Sequence, residues 1–552
     1  MNKKILILET ILALVIILGF RKASQQTIKK ISVISRQEVY KNKFIIHCSP
    51  DWNFLNADSI GIAMKPLPGW GSYRWNINTA SDSARFYFNQ GINMYYAFHI
   101  IESLGSFKKA ATFDSTNAMI YWGQALAYGP NINDYAYAAA ADAEVAAKKA
   151  KQFSTLSGDK EIALVNAMVV RYTGDSTMSR EVLNENYSVA MQKVYNQFGK
   201  EDANISALYA DARMLQHPWD YWKHNGEAEP WTDEILIVIE TALKKYPEHP
   251  GLNHYHIHMS EASPNPERAL ASAKRLETMM PDVSHMVHMP SHIYIRTGRY
   301  QTGIDVNDKS INGYNKYFAL YPDVVNNIPL YVIHNLHMKA ACAMMLSDYS
   351  VALKAAKEVS ASFDTSFLSM PQPVGNLIQY IYMMPLMAQV QYGKWDELLT
   401  GPELPSAWAF AYSLSVWGKG LAYAETGKIP EAKKELDALT VSMNNPDMQV
   451  VNAPFNKPAD QMMVGKKMLE GTIALKEKKY KEAIAFFKEA VVAEDNLIYD
   501  EPRDWLIPSR QFLANAYIIS GNLTDAKKIL NEDLVINPNN FHSTGMLKRV
   551  NK

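Results

Sequence analysis

The chain has 552 residues, of which 48% are hydrophobic and 20% are charged, a composition typical of a folded protein. Its 56 basic residues balance its 56 acidic residues, so the sequence offers neither the basic surface that nucleic acids require nor a broad acidic surface. A chain of this length exceeds one compact core, unless that core is a stack that grows in one direction. The two cysteines, Cys48 and Cys342, exclude a disulfide framework and a cluster of metal-bound thiolates.

Residues 1–22 predict a signal peptide or an N-terminal membrane anchor. Lys3 and Lys4 precede an apolar run, 5–20, whose one charged residue is Glu9. A membrane-spanning helix needs roughly 20 apolar residues, so the short run favours a signal peptide. The basic residues directly after the run, and the lack of a typical cleavage site, favour a retained anchor. We therefore expect an exported protein, either periplasmic or anchored to the membrane with its bulk on the extracytoplasmic side.

Residues 23–80 are interpreted as a tether that leads into a repeated structure. From residue 81 onward, apolar residues recur at spacings of three and four, the pattern of amphipathic helices. Small and apolar residues share spacings of 12, 16, 19 and 24 from the first member in two sets: Gly91, Ser103, Phe107, Ala110, Ser115, and Gly471, Ala483, Phe487, Ala490, Asp495. Another set returns after 34 residues, Ile239, Ala242 and Pro247 becoming Ala273, Leu276 and Pro281. Small residues at such positions let paired helices approach closely.

This small-residue pattern, with its period of 34 residues, resembles the tetratricopeptide repeat family. The resemblance implies an all-α solenoid of stacked helix pairs, with N-terminal and central repeats over 81–400 and C-terminal repeats over 401–552. Insertions or irregular stretches are expected near 313–331, 494–502 and 217–231. The strings HYHIHMSEASPNPERAL and HMVHMPSHIYIRTGRY also resemble a bacterial family of tetratricopeptide proteins with the motifs HYxIHxxEASPxPERAL and HMPSHIYIRxGRY.

Histidines are concentrated in the middle of the chain, where eight of the 14 lie within residues 254–337. Seven of these eight lie 18, 15 or 11 residues before the small residues that open second helices, Ala269, Gly303 and Ala352. The three equivalent places hold His285 and His334, then His254, His288 and His337, then His258 and His292. Steps of three and four put these side chains on one face of the first helix of each pair, and Glu261 continues that face.

In the tetratricopeptide family this face lines the concave groove, so the resemblance implies that the histidines converge there. Histidines four residues apart can chelate one metal ion. The predicted metal site comprises His254, His258, Glu261, His285, His288, His292, His334 and His337. Imidazole and carboxylate ligands suit Zn²⁺, Cu²⁺, Fe²⁺ or Mn²⁺. Nearby Met286, Met289 and Met338 are consistent with copper, although packing explains methionines equally well.

We therefore predict an exported repeat protein that binds a divalent transition metal or a small ligand in a histidine-rich groove. One alternative is a scaffold whose protonated histidines grip an anionic peptide of a protein partner. Another is a metal-dependent enzyme, with Glu261 as general base and Arg296 as anion holder. A third is a structural polar network. The chain has no G-x-S-x-G, P-loop, dinucleotide-binding glycine or H-E-x-x-H motif.

Overall fold

The computed structural model describes residues 52, 56–133, 141–173, 177–320, 328–451 and 456–551. The segment 1–22, with its predicted signal peptide or anchor, lies outside the described residues, as does most of the tether. Within the described ranges, no helix combines the length and apolar character needed to cross a membrane.

The first half of the chain folds into consecutive α-helices. They are α1 (Ala57–Ala63), α2 (Asp82–Tyr96), α3 (Ile100–Ala111), α4 (Ala118–Ala127), α5 (Ala141–Phe153), α6 (Asp159–Arg171), α7 (Arg180–Phe198), α8 (Ala203–Met214), α9 (Thr232–Lys245), α10 (Pro250–Glu261), α11 (Leu270–Met279), α12 (Ser284–His288), α13 (Pro290–Arg296) and α14 (Tyr300–Leu320). In the described part of the chain, the isolated β-bridge between Trp222 and Ala228 is the one element of β pairing.

The second half continues the same architecture. Its helices are α15 (Ile328–Leu346), α16 (Tyr349–Ser360), α17 (Val374–Tyr382), α18 (Met384–Gln391), α19 (Trp395–Leu399), α20 (Ala409–Glu425), α21 (Ile429–Ser442), α22 (Pro458–Lys476), α23 (Tyr480–Asp495), α24 (Ser509–Ile519), α25 (Leu523–Ile536) and α26 (Phe541–Val550). Each helix packs mainly on its neighbours along the chain, as in a solenoid. The predicted all-α repeat fold is therefore confirmed.

The close approach of paired helices explains the repeated small residues. A Cβ atom at Gly91 would lie 2.8 Å from Cε1 of Phe107, and one at Gly471 would lie 2.6 Å from Cε1 of Phe487. Both distances are shorter than carbon atoms tolerate, so the phenylalanine of the second helix packs directly on the backbone of the first. The regular spacing found in the sequence thus corresponds to one packing arrangement used in two distant repeats.

The C-terminal repeats return to the middle of the chain. The Tyr300 hydroxyl donates to the carbonyl of Pro538 at 2.8 Å, and the Asn540 amide contacts Sδ of Met345 at 3.0 Å. Because of this return, residues more than two hundred positions apart in sequence can share one site, as the 238 residues between Glu261 and its partner Tyr499 show.

Two of the expected insertions take different forms. The stretch near 313–331 lengthens α14 as far as Leu320. The stretch near 494–502 belongs to a connection between α23 and α24, residues 496–508, which we call the crossing segment. Asn456 fixes this segment by exchanging two hydrogen bonds of 2.8 Å with the backbone of Ile498. Trp505 anchors its other end in the core, 5.0 Å from the ring of Trp417.

Candidate metal centre

Helix α10 carries three of the predicted site residues and is buried along its whole length. His249 caps its first turn, because Nδ1 accepts a backbone N–H at 3.1 Å. A helix that is buried on every side lies in the interior of the fold, so each polar side chain on it requires a partner. His254, His258 and Glu261 are accordingly 0%, 3% and 1% exposed, and each contacts other members of the site.

The next histidines lie on two short helices. Pro290 divides the run into α12 and α13, but the chain continues in helical register because the Met289 N–H still donates to the His285 carbonyl at 3.0 Å. The side chains of His288 and His292 consequently face each other across the junction, with their Nε2 atoms 2.8 Å apart. The spacing of four therefore has the expected geometric effect in spite of the proline.

The first group of potential ligands, which we call triad 1, consists of His254, His258 and His285. One ring nitrogen from each lies within 4.8 Å of the others. His285 is buried, its ring centroid lies 5.0 Å from that of His254, and neither of its ring nitrogens has a hydrogen-bond partner. A buried imidazole with two unpartnered nitrogens costs free energy unless something binds to it.

The second group, triad 2, consists of His288, His292 and His334, and its ligand nitrogens also lie within 4.8 Å of one another. His334 comes from α15, and its ring centroid lies 4.8 Å from that of His288 and 5.4 Å from that of His292. The two triads are adjacent, since the ring centroids of His258 and His292 are 6.3 Å apart. Three neighbouring first helices thus contribute to one histidine-lined centre.

The hydrogen bonds of triad 1 fix the tautomers of its first two rings. Nδ1 of His254 lies 2.6 Å from the carbonyl of Tyr96, and Nδ1 of His258 lies 2.9 Å from Oε1 of Glu261. Both oxygens can only accept, so both Nδ1 atoms carry protons. Burial lowers the pKa of both rings and keeps them neutral. Their Nε2 atoms therefore present two lone pairs to each other at 3.1 Å.

Triad 2 differs because one of its rings is charged. Nδ1 of His292 lies 2.8 Å from Oε2 of Glu261 and 2.5 Å from Oε2 of Glu501. Burial disfavours the imidazolium, but Glu501 and Glu261 together outweigh burial and raise the pKa of His292 to about 10. Its Nε2–H consequently donates to the Nε2 of His288, whose Nδ1 is bonded to Asn307 Oδ1 at 2.6 Å. A proton occupies the position between these two rings.

Glu261 links the two triads. Its two oxygens accept from His258 and His292, and Oε2 also accepts from the Tyr499 hydroxyl at 3.2 Å. Burial alone would raise the pKa of Glu261, but the His292 charge and these hydrogen bonds outweigh it and hold the pKa well below its usual range. Glu261 also forms a third group of potential ligands with His292 and Glu501.

Glu501 and Tyr499 were not among the residues predicted from the sequence. Both lie on the crossing segment, which brings them to Glu261 and His292 from the far end of the chain. Burial and the neighbouring Glu261 charge raise the pKa of Glu501 to about 8. The sequence signal for this segment was an insertion near 494–502, and its path into the groove follows from the return of the C-terminal repeats.

Arg296 lies beside this centre and binds backbone. Its two terminal nitrogens donate to the carbonyls of Glu261 and Ser263, the latter at 3.2 Å. Its guanidinium also lies 5.1 Å from the ring centroid of Tyr499. Burial and the nearby Arg503 lower the pKa of Arg296 to about 10. Arg296 therefore holds the C-terminal end of α10, where a cation interacts favourably with the helix dipole.

His337 is the one predicted histidine that lies outside the two triads. It follows His334 by three residues on α15, and its ring lies 6.0 Å from that of Tyr380. Burial lowers the pKa of His337 to about 3. The methionines Met286 and Met289 belong to the hydrophobic core.

Two aromatic residues with left-handed backbones cover triad 1. Phe98 has φ of 57° and Trp219 has φ of 62°. The Phe98 ring centroid is 4.5 Å from that of His254, and the Trp219 ring meets His258 edge-on at 5.1 Å. Non-glycine residues in this conformation cost about 1–3 kcal/mol each and are concentrated at functional sites. Here the strained backbones place apolar rings against the imidazoles and exclude water from them.

Comparison with known proteins gives no assignment for this site. No protein-family model and no curated protein sequence matches the chain. Among solved structures, it is similar to the human IFIT1 dimer with m7Gppp-AAAA, at 14% identity over 83% of this chain and 91% of that one, with a TM-score of 0.29. It is also similar to yeast Tom70, at 12% identity over 86% and 89% of the two chains, with a TM-score of 0.32. The tetratricopeptide domain of P58(IPK) is 13% identical over 85% and 97%, with a TM-score of 0.19. Likeness at this level does not extend to function.

Proposed function

We propose that this protein binds a divalent transition metal at triad 1, and that triad 2 is a second site for the same class of ion. The observation that carries the proposal is the pair of Nε2 lone pairs in His254 and His258, which face each other at 3.1 Å in the buried interior. Two lone pairs repel at this distance, whereas a cation placed between them and His285 binds all three rings.

Protein groups around triad 1 support this assignment. Metal-bound histidines commonly donate the proton of the other ring nitrogen to a carbonyl or carboxylate, which fixes the tautomer and orients the ring. The carbonyl of Tyr96 and the carboxylate of Glu261 accept such bonds from His254 and His258. We assign Glu261 this orienting role, because its oxygens are already engaged by two imidazoles and the Tyr499 hydroxyl.

The ligand set suggests the class of metal. Neutral imidazoles suit Zn²⁺, Cu²⁺ and Fe²⁺ better than Mn²⁺, which prefers oxygen ligands. Three protein ligands leave a coordination position for water or a substrate, as in catalytic sites, whereas structural zinc sites have four protein ligands. Because export is predicted from residues 1–22, we place metal loading outside the cytoplasm.

The alternative functions place different demands on the same residues. A groove that grips an anionic peptide requires histidines that face solvent, but His254, His258, His288 and His292 are at most 3% exposed. The crossing segment also supplies Tyr499 and Glu501 at this face, so the chain itself occupies the place of an anionic peptide. A structural network would pair each ring nitrogen, whereas both nitrogens of His285 are unpartnered.

Metal analysis of the full chain, purified without a histidine tag, tests the proposal. After removal of metal with a chelator, titration with Zn²⁺ or Cu²⁺ is expected to load at least one equivalent per chain. His258→Ala should abolish loading of triad 1. His256→Ala is the matched control, because His256 is buried on the same helix but bonds Ser272 and Glu240 instead. Failure of the wild-type chain to bind either ion in stoichiometric amount would refute the proposal.

Exogenous ligands separate an open site from a closed one. Azide added to the Cu²⁺-loaded chain should occupy the fourth position and produce a new charge-transfer absorption. That result would favour the metal-dependent enzyme, because a reacting molecule needs the same position. An unchanged spectrum would instead favour metal storage or transfer through a fully coordinated ion.

A further inference from the structure

A second polar cavity lies beside the crossing segment, distinct from the triads. Its volume is about 20 Å³, enough for one water molecule or one bare cation. Asp500 and Asp504 of the crossing segment line it from one side, and their carboxyl groups contact each other. Asn376, Tyr380 and Gln461 line it from α17 and α22. The cavity therefore lies where three parts of the chain meet.

The polar groups of this cavity are mostly acceptors without donors. Oδ1 of Asn376 and Oε1 of Gln461 have no hydrogen-bond partner, although the two side chains are only 3% and 5% exposed. The amide nitrogen of Asn376 donates to the carbonyl of Asp447 at 2.7 Å, so the free oxygen is the group that remains for the cavity. Tyr380 is 3% exposed, and its hydroxyl is likewise without a partner.

Asp504 is fixed in place from behind. Its Oδ2 accepts from Nδ2 of Asn456 at 2.7 Å, and the same amide donates to the carbonyl of Ile498. Two carboxyl groups and two amide oxygens thus converge on a small space, where the Tyr380 hydroxyl is the one donor among the five groups. Such a set leaves unsatisfied lone pairs unless a cation or a shared proton with water occupies the space.

We propose that this cavity is a binding site for a hard divalent cation, with Ca²⁺ as the best match. Ca²⁺ takes carboxylate and amide oxygens at 2.3–2.6 Å in flexible geometry, which fits ligands drawn from three separate elements. Mg²⁺ demands octahedral geometry and retains several water molecules, for which a cavity of about 20 Å³ has no room. The absence of nitrogen and sulfur ligands in this set also separates the site from the histidine triads.

The site has a structural consequence for the histidine centre. Asp500 immediately precedes Glu501, and Tyr499 immediately precedes Asp500, so alternate residues of the crossing segment face the two sites. A cation bound by Asp500 and Asp504 would hold Glu501 and Tyr499 against His292 and Glu261. This coupling, unlike the cation site itself, rests on the proposed function.

Equilibrium dialysis of the chelator-treated full chain against Ca²⁺ tests the proposal. The wild-type chain should bind one equivalent, and Asp504→Asn should weaken binding about tenfold or more because it removes one ligand charge. Asp437→Asn, an exposed change on α21, should leave binding unaltered. His258→Ala should also retain Ca²⁺, which distinguishes this site from the metal centre.

Two results would overturn the proposal: a wild-type chain that takes up no Ca²⁺, or an Asp504→Asn variant that binds it as tightly as wild type. A buried Asp504→Asn change could prevent folding, so circular dichroism should accompany each measurement. Gln461→Leu provides a second variant, because it removes one acceptor oxygen without changing the charge. Retention of full affinity in Gln461→Leu, together with loss of fold in Asp504→Asn, would also count against the site, since water with a shared proton would then suffice.

Discussion

The Nε2 atoms of His254 and His258 lie 3.1 Å apart, and each ring has already committed its Nδ1 proton to an oxygen acceptor. Four residues later in the same superhelix, His288 and His292 form a similar contact at 2.8 Å, but there a charged ring supplies a proton. The difference arises from the carboxylates, because Glu501 and Glu261 both face His292. One pair is therefore ready to receive a cation, and the other must release a proton first.

Changing Glu261 to Gln should weaken metal binding without removing a ligand nitrogen. The Gln oxygen can accept from one imidazole, but its amide group would face the Nδ1–H of the other, so one ring loses its orientation. Loss of such a partner commonly lowers metal affinity about 10–100-fold. Competition with a chromophoric chelator measures the change.

The matched control for this change is Glu240→Gln. Glu240 contacts His256 on another face of α10, at 3.3 Å, and does not touch either triad. Equal loss of affinity in both variants would show that the effect is a general destabilisation of α10. Unaltered affinity in Glu261→Gln would remove the orienting role that we assign to Glu261.

Metal binding at triad 2 should release a proton at neutral pH. His292 holds its charge because Glu501 and Glu261 raise its pKa to about 10, so an ion that binds Nε2 must displace the Nε2 proton. Triad 1 contains rings whose pKa values burial lowers, and its loading should release no proton. Calorimetry in two buffers of different ionisation enthalpy counts the protons. Proton release that persists in His292→Ala would contradict this account.

The sequence predicts the triads because their geometry is mostly local. Spacings of three and four determine one face of a helix, and the repeat places equivalent faces side by side, so His254, His258, His285, His288, His292 and His334 converge as expected. His337 has the same place in the repeat as His254 and His288, yet it faces Tyr380. Repeat position fixes the helix face but not the depth at which each helix crosses the groove.

The remaining site residues depend on tertiary paths that the spacing does not encode. Glu501 and Tyr499 reach the centre because the C-terminal repeats return to the middle of the chain, as the Tyr300 contact with Pro538 shows. Tyr96 contributes a backbone carbonyl, which every residue possesses and no motif records. Phe98 acts through an unusual backbone conformation, φ 57°, that nothing in its residue type predicts.

Substitution of glycines tests the packing of the repeats. Gly471→Ala should destabilise the C-terminal repeats by roughly 1–3 kcal/mol, because its Cβ would meet the Phe487 ring at 2.6 Å. Gly545→Ala is the matched control in the interior of α26, where a Cβ would meet nothing within 4 Å. It should stabilise by about 0.5–1 kcal/mol, through reduced freedom of the unfolded chain. Thermal unfolding measures both, and a stabilised Gly471→Ala would contradict the proposed helix contact.

His249 should make the stability of the chain depend on pH. Burial lowers its pKa to about 3 in the folded protein, against 6.5 for an exposed histidine. Between these two values the unfolded chain binds a proton that the folded chain excludes, so stability present above pH 6.5 is lost as the pH falls, by up to about 1.4 kcal/mol per pH unit. His249→Asn removes this titration and keeps the helix cap, because an Asn oxygen can accept the backbone N–H of Leu252 in place of Nδ1. The fall in thermal midpoint between about pH 7.5 and about pH 5.5 should therefore be smaller in the variant than in wild type, and the difference between the two chains isolates His249 from the other buried histidines. Identical falls in the two chains would mean that His249 takes up its proton without unfolding α10.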